Sequence, residues 1–139
     1  KRRKHEIVEA VRNRFNDRII PIYTALGFKD FSEIDITPDY TIRITRTHDG
    51  DVVGSWPLEA LSTSERITLA ITLLAVGKEQ FVPDYPFFVL DEIITSYDPQ
   101  RFEVVRENLV GIARFVIMTE LAPREKTEGI EIAYSKSVA

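Results

Sequence analysis

The residues best suited to chemistry are two adjacent carboxylates, Asp91 and Glu92, at the end of the apolar run Phe87-Phe88-Val89-Leu90. Four apolar residues leading into acids read as a buried parallel strand whose carboxyl end delivers charge to a site. One acid can hold Mg²⁺ through a water, and the next can polarise an attacking water. In that assignment Asp91 is the metal-side acid and Glu92 the general base. The plain alternative is two strand-end acids in solvent, one of them capping a turn. Upstream lies Leu61-Ser62-Thr63-Ser64-Glu65-Arg66, and downstream Thr95-Ser96-Tyr97-Asp98.

Ser62-Thr63-Ser64-Glu65 fits a capping box without any function. Ser62 would cap the amide of residue 65, and Glu65 would reach back to the amide of residue 62. A compatible reading uses the same amides and the positive end of the helix dipole for a phosphate, with the Ser62 hydroxyl as a donor. Asp98 before Pro99 is first a helix cap. A role across an interface is the other reading. Lys1-Arg2-Arg3-Lys4, Arg12, Arg14 and Arg18 make the first helix basic, either as a solvated face or for phosphate-backbone contact.

Several elements must position these groups. Residues 1 to about 20 have helical spacing of Ile7, Val8, Val11, Phe15 and Ile19. Pro21 predicts an end or kink, with a short turn on to Gly27. Asp35 to Thr37 is a short strand, Tyr40 to Arg46 alternates as a half-buried strand, and Asp49-Gly50 turns into a return strand from Val52 to Trp56. Glu65 to Phe81 is apolar around most of its circumference and predicts a helix buried on several sides. A helix starts after Asp98 and runs to about Leu109. Arg114 to Thr119 reads as another buried strand, and Gly129 to Tyr134 as a last one. The order suggests an α/β layer beside a small antiparallel element.

Composition narrows the classes. The chain has 139 residues, 44% apolar and 29% charged, with net charge −4 and no cysteine. That is an ordinary globular composition with one core and neither a disulfide framework nor a cysteine zinc site. Its start is charged, without the apolar core of a secretion signal or an initiator Met, so upstream sequence is expected. A phosphate-cradling G-x-x-x-x-G-K-[ST] motif is missing. The one Gly-Lys pair, Gly77-Lys78, has Thr72 five residues before the glycine and Glu79 after the lysine. The chain is therefore not expected to bind a nucleotide tightly by itself.

These motifs, in this order, resemble the C-terminal half of an ATP-binding-cassette head of the SMC type (structural maintenance of chromosomes), including the related double-strand-break-repair ATPases. The resemblance covers most of the chain. It implies an α/β fold: the C-terminal lobe of an ABC-type P-loop ATPase head, with a mostly parallel sheet, helices and a small antiparallel hairpin. Residues 1–27 would be the end of a coiled-coil helix and the entry to the head, and 28–139 the lobe itself. Leu61 to Arg66 stands at the family's signature, so Ser62, Thr63, Ser64 and Glu65 would meet the γ-phosphate of ATP held by a second head. Phe87 to Glu92 matches Walker B, and Ile93 to Asp98 the D-loop, where Ser96 and Asp98 would help bridge two heads. Glu120 stands at the switch position.

The implied activity is ATP hydrolysis with ATP and Mg²⁺ as cofactors, only together with an N-terminal lobe that carries Walker A. Implied partners are that lobe, a second head in a homodimer, DNA, and an accessory or nuclease subunit. The implied setting is cytoplasmic and nucleoid-associated, in chromosome organisation or DNA repair. Thr63 and Ser64 replace the signature glycines, Glu120 replaces a histidine, and Tyr97 replaces a leucine. These departures keep a degenerate ATP-dependent structural clamp with little hydrolysis as the alternative. A small ABC-type ATPase coupled to another process is a weaker third reading.

Overall fold

The computed structural model describes residues 2–119. Their elements are α1 (Arg2–Ala25), β1 (Phe31–Ile36), β2 (Ile42–His48), β3 (Asp51–Trp56), α2 (Thr63–Phe81), β4 (Phe87–Asp91), α3 (Pro99–Leu109) and β5 (Phe115–Thr119). They form two compact units, Lys1–Pro83 and Asp84–Ala139. This is a mixed α/β chain with one antiparallel and one parallel sheet. Among the described residues no helix is long and apolar enough to cross a membrane.

In the first unit, β1, β2 and β3 make an antiparallel meander in sequence order. The expected hairpin is thus the second half of a larger sheet. Asp49 and Gly50 turn β2 into β3 with φ of 51° and 89°, the twist that a tight hairpin needs. Of the end or kink expected at Pro21, the end does not occur: α1 continues through the proline to Ala25. Packing outweighs the lost hydrogen bond: Ile19, Tyr23 and Leu26, on both sides of the proline, are buried. The helix closes where the Gly27 amide donates to the Thr24 carbonyl at 3.0 Å and the Phe28 amide to Tyr23 at 3.4 Å, a Schellman pattern. The rings of Tyr23 and Phe28, 5.2 Å apart, make its apolar contact.

Two side chains fasten α1 to its surroundings. Asn16 donates to the Ile36 carbonyl and accepts from the Ile36 amide, both at 2.9 Å. It thereby satisfies the end of β1 as another strand would. Arg18 forks onto Glu79 of α2, Nε to Oε1 at 2.9 Å and Nη2 to Oε2 at 3.0 Å. One of the basic residues of the first helix is therefore engaged within the fold.

The helix α2 is less enclosed than its composition predicts. Thr68, Leu69, Ile71, Thr72, Ala75 and Val76 are buried, whereas Leu74 and Phe81 lie open. A buried stripe at that spacing is one face, not several.

In the second unit, β4 and β5 pair in parallel, from Phe87 opposite Phe115 to Asp91 opposite Thr119. The helix α3 lies between them in sequence, as a parallel connection requires. The strands are not buried on both faces as expected. Phe88 and Leu90 are covered, but Val89 is 60% and Ile117 46% exposed, with Phe87 and Phe115 half open beside them. Parallel strands are normally covered on both faces, so this face has the composition of a covered one, exposed among the described residues. The expected strand from Gly129 to Tyr134 lies outside the described residues.

Replacing Asn16 by Ala leaves the amide and carbonyl of Ile36 without their partner. The expected cost is roughly 1–3 kcal/mol, read as a lower urea midpoint with an unchanged slope.

Candidate functional site

The two constellations fall in different units. The start of α2 is the first. Ser62 is its N-cap, with its hydroxyl oxygen accepting from the Glu65 amide at 3.3 Å. Glu65 Oε2 accepts from the Ser62 amide at 2.7 Å. The capping box expected from the sequence is complete. The Ser62 hydroxyl proton is not consumed by that bond, since the oxygen acts there as acceptor. The Ser64 hydroxyl lies 3.4 Å away. Thr63 points into the open, and the Thr68 hydroxyl donates to the Ser64 carbonyl at 2.8 Å.

Two further residues reach this turn, neither of them marked by the motif. The Arg46 Nη2 donates to both Glu65 oxygens at 2.9 Å. The Tyr23 hydroxyl donates to the Glu65 carbonyl at 3.2 Å. Each is distant in sequence, so no local pattern exposes it. The available signal was an arginine on an otherwise alternating strand.

The carboxyl end of β4 is the second constellation. Asp91 ends the strand, and its register partner on β5 is Thr119. The Thr119 hydroxyl donates to Asp91 Oδ1. The Thr119 hydroxyl oxygen in turn accepts from the Glu92 amide at 3.2 Å. One hydroxyl therefore ties together the adjacent acids. Glu92 has φ of 52°, a left-handed conformation costly for a residue with a Cβ. It breaks the strand at once and turns the chain into a 3-10 turn over Ile94–Ser96. The Thr95 hydroxyl donates to the Glu92 carbonyl at 3.4 Å, and the Ser96 amide to Ile93 at 3.1 Å. Both acids are exposed.

Ser96 thus sits in the turn that follows the acids. Asp98 caps α3, accepting from the Arg101 amide at 2.9 Å, with Pro99 in the first turn. This is its plain reading, and the cap does not compete with a second role for the other oxygen. Glu120 lies outside the described residues.

The donor set suits magnesium better than a metal caged wholly by protein. No group of three or more metal-ligating side chains occurs among the described residues. Mg²⁺ commonly keeps several waters and takes one or two carboxylates plus substrate phosphates. Asp91, exposed at a strand end with one oxygen oriented by Thr119, fits that role.

No protein-family profile matches the chain. A curated protein, Protein bps2 of Acidianus ambivalens, is 36% identical over 63 residues, which are 45% of this chain and 11% of that protein. Solved structures match over far more of the chain. The Smc head domain of Pyrococcus furiosus, with an extended coiled coil and bound to the C-terminal domain of ScpA, superposes with a TM-score of 0.63 at 18% identity, covering 86% of this chain and 31% of that one. The SMC head domain from Thermotoga maritima gives 0.57 at 21% identity, over 85% of this chain and 41% of the other. A chain from work on ATP-driven dimerization and DNA-stimulated activation of SMC ATPases gives 0.65 at 14% identity, over 85% and 73%. The chain thus spans about a tenth of the curated relative and under half of the first two solved heads. Its fold is that of part of an SMC-type head domain.

Proposed function

We propose that this chain is the C-terminal lobe of a DNA-associated, SMC-like ATPase whose heads dimerise on ATP and whose hydrolysis drives chromosome organisation or DNA repair. The observation that carries the reading is the end of β4. Asp91 and a left-handed Glu92 are joined there through the Thr119 hydroxyl. Strain at a strand's carboxyl end is where α/β sheets bind ligands and where active sites hold unusual backbone.

In this reading Asp91 holds Mg²⁺, which supplies charge stabilisation on the phosphates when bound. Glu92 accepts the proton of the attacking water. Ser62, backed by the Thr63–Glu65 turn, offers its hydroxyl and the helix end to the γ-phosphate on a second head. Ser96 and Asp98 lie on the stretch proposed to bridge the heads. An N-terminal lobe of the same head supplies Walker A, and the apolar face of β4 and β5, exposed among the described residues, supports such a covering partner. The resembling Smc head of P. furiosus was solved with ScpA, so an accessory subunit of that kind is a proposed partner, as is DNA. The proposed location is cytoplasmic, at the nucleoid.

A second reading, a clamp that binds ATP with little turnover, draws on Thr63 and Ser64. At those two positions glycines would let the backbone approach a phosphate more closely than residues with side chains do.

ATP turnover by the chain mixed with its N-terminal lobe tests both readings. Turnover in the mixture but in neither lobe alone, abolished by Glu92→Gln with trapping of an ATP-bound dimer, is expected. Normal release by Glu92→Gln would remove the general-base role. Changing Thr63 and Ser64 to Gly raises turnover severalfold if the present signature is the brake. Strain at Glu92 has its own test: Glu92→Gly is expected to be more stable than Glu92→Ala by about 1 kcal/mol in urea unfolding. For DNA, neutralising the exposed Arg3, Lys4 and Arg14 is expected to flatten the dependence of log binding on log salt by about 0.9 per lost contact.

A further inference from the structure

The guanidinium of Arg46 is held from several directions within the first unit. Its carbon lies 4.9 Å from the Phe31 ring centroid and 5.8 Å from that of Trp56. Nη2 meets both oxygens of Glu65. The Arg46 and Glu65 side chains are only 29% and 14% exposed, so solvent screens the pair less than it screens a surface bridge. The Nε is buried without a hydrogen-bond partner. The side chain is therefore placed by the rings and the carboxylate, not by satisfying all its own donors.

The backbone is also shaped around this residue. On one side the register with β1 jumps between Phe31, opposite Arg46, and Glu33. On the other, the register with β3 shifts between Arg46 and Thr47. Bulges re-aim side chains and sharpen local twist, and here both neighbours of β2 are irregular at one position. The residue opposite Arg46 on β3 is Gly54, with φ of +155°, which a residue with a Cβ rarely adopts.

Glu65 presents an electrostatic difficulty at this place. A carboxylate at a helix N-terminus is favourable by itself. It also repels any anion that approaches the same amides. A cation on that carboxylate removes the repulsion while leaving the cap intact.

We infer that Arg46 is the positioning residue of the phosphate-facing turn: through Glu65 it fixes the Ser62 cap and neutralises the carboxylate there, tying the turn to the β1–β3 sheet. This rests on the ATPase reading above for its ligand, though not for its geometry. Arg46 acts through Glu65 rather than on the phosphate itself.

The test uses the full-length protein with Arg46→Met, Arg46→Lys, Glu65→Gln and the Arg46→Met/Glu65→Gln pair. Two readouts are taken: the ATP concentration for half-maximal head dimerisation, and hydrogen exchange at the Ser62 amide without ATP. Arg46→Met is expected to weaken ATP-driven dimerisation by roughly tenfold or more and to speed Ser62 exchange. Arg46→Lys restores much of both, because a single nitrogen makes both bonds. In the Glu65→Gln background, which keeps an acceptor for the Ser62 amide, Arg46→Met costs far less. A purely structural role would give equal losses in both backgrounds and overturn the proposal. Unchanged Ser62 exchange in Arg46→Met would overturn it as well. Wild-type protein that fails to dimerise on ATP defeats the ATPase reading instead, and the exchange arm still decides the role of Arg46. Should Arg46→Met not fold, Arg46→Lys against Glu65→Gln carries the same comparison.

Discussion

One carboxylate organises the first unit. Glu65 closes the cap of α2 on the Ser62 amide and receives Arg46 from β2. Its own carbonyl receives the hydroxyl of Tyr23 from the end of α1. Tyr23 in turn meets Phe31 edge-on, with centroids 5.2 Å apart, and Phe31 lies under Arg46. A ring of contacts thus joins α1, β1, β2 and α2 at the place where the helix amides open. A helix end held by its own cap alone frays readily, because each link is local and solvent competes for it. Here the cap is locked from outside by groups that are themselves packed.

The second unit uses a different device. Its acids are placed by strand register and by a backbone turn that the sequence does not favour. Parallel pairing sets Thr119 beside Asp91, and the left-handed Glu92 ends the strand at the second acid. One unit fixes its polar groups with a charge network, the other with topology and strain. Both devices serve groups that would otherwise be mobile in water, and side-chain ordering has an entropic cost that must be met somewhere.

Much of this was legible in the sequence because it is local. The capping box of Ser62 and Glu65, the Asp98-Pro99 helix start, the Leu109 helix end and the Asp49-Gly50 turn depend on residues a few positions apart. The motif order was sufficient for the fold of an SMC-type head. Pro21 does not end its helix because tertiary packing of Ile19, Tyr23 and Leu26 overrides a local breaker. The apolar runs of β4, β5 and α2 predicted more burial than exists, since composition states what a surface prefers and not what covers it. Arg46 and Thr119 were illegible as partners. Their importance lies in contacts 19 and 28 residues away along the chain, and nothing in a strand's alternation marks which side chain crosses to another element.

The separation between Asp91 and Thr119 also bears on how the chain folds. The meander of β1, β2 and β3 is built from neighbouring strands and closes over short loops. The β4–β5 pair forms only after α3 has been spanned, at a loop-closure cost in entropy that precedes any reward from contacts. The geometry of the two acids thus depends on a pairing 28 residues apart along the chain. Without that pairing Glu92 has no neighbouring hydroxyl to receive its amide, and neither the left-handed turn nor the candidate site has its support.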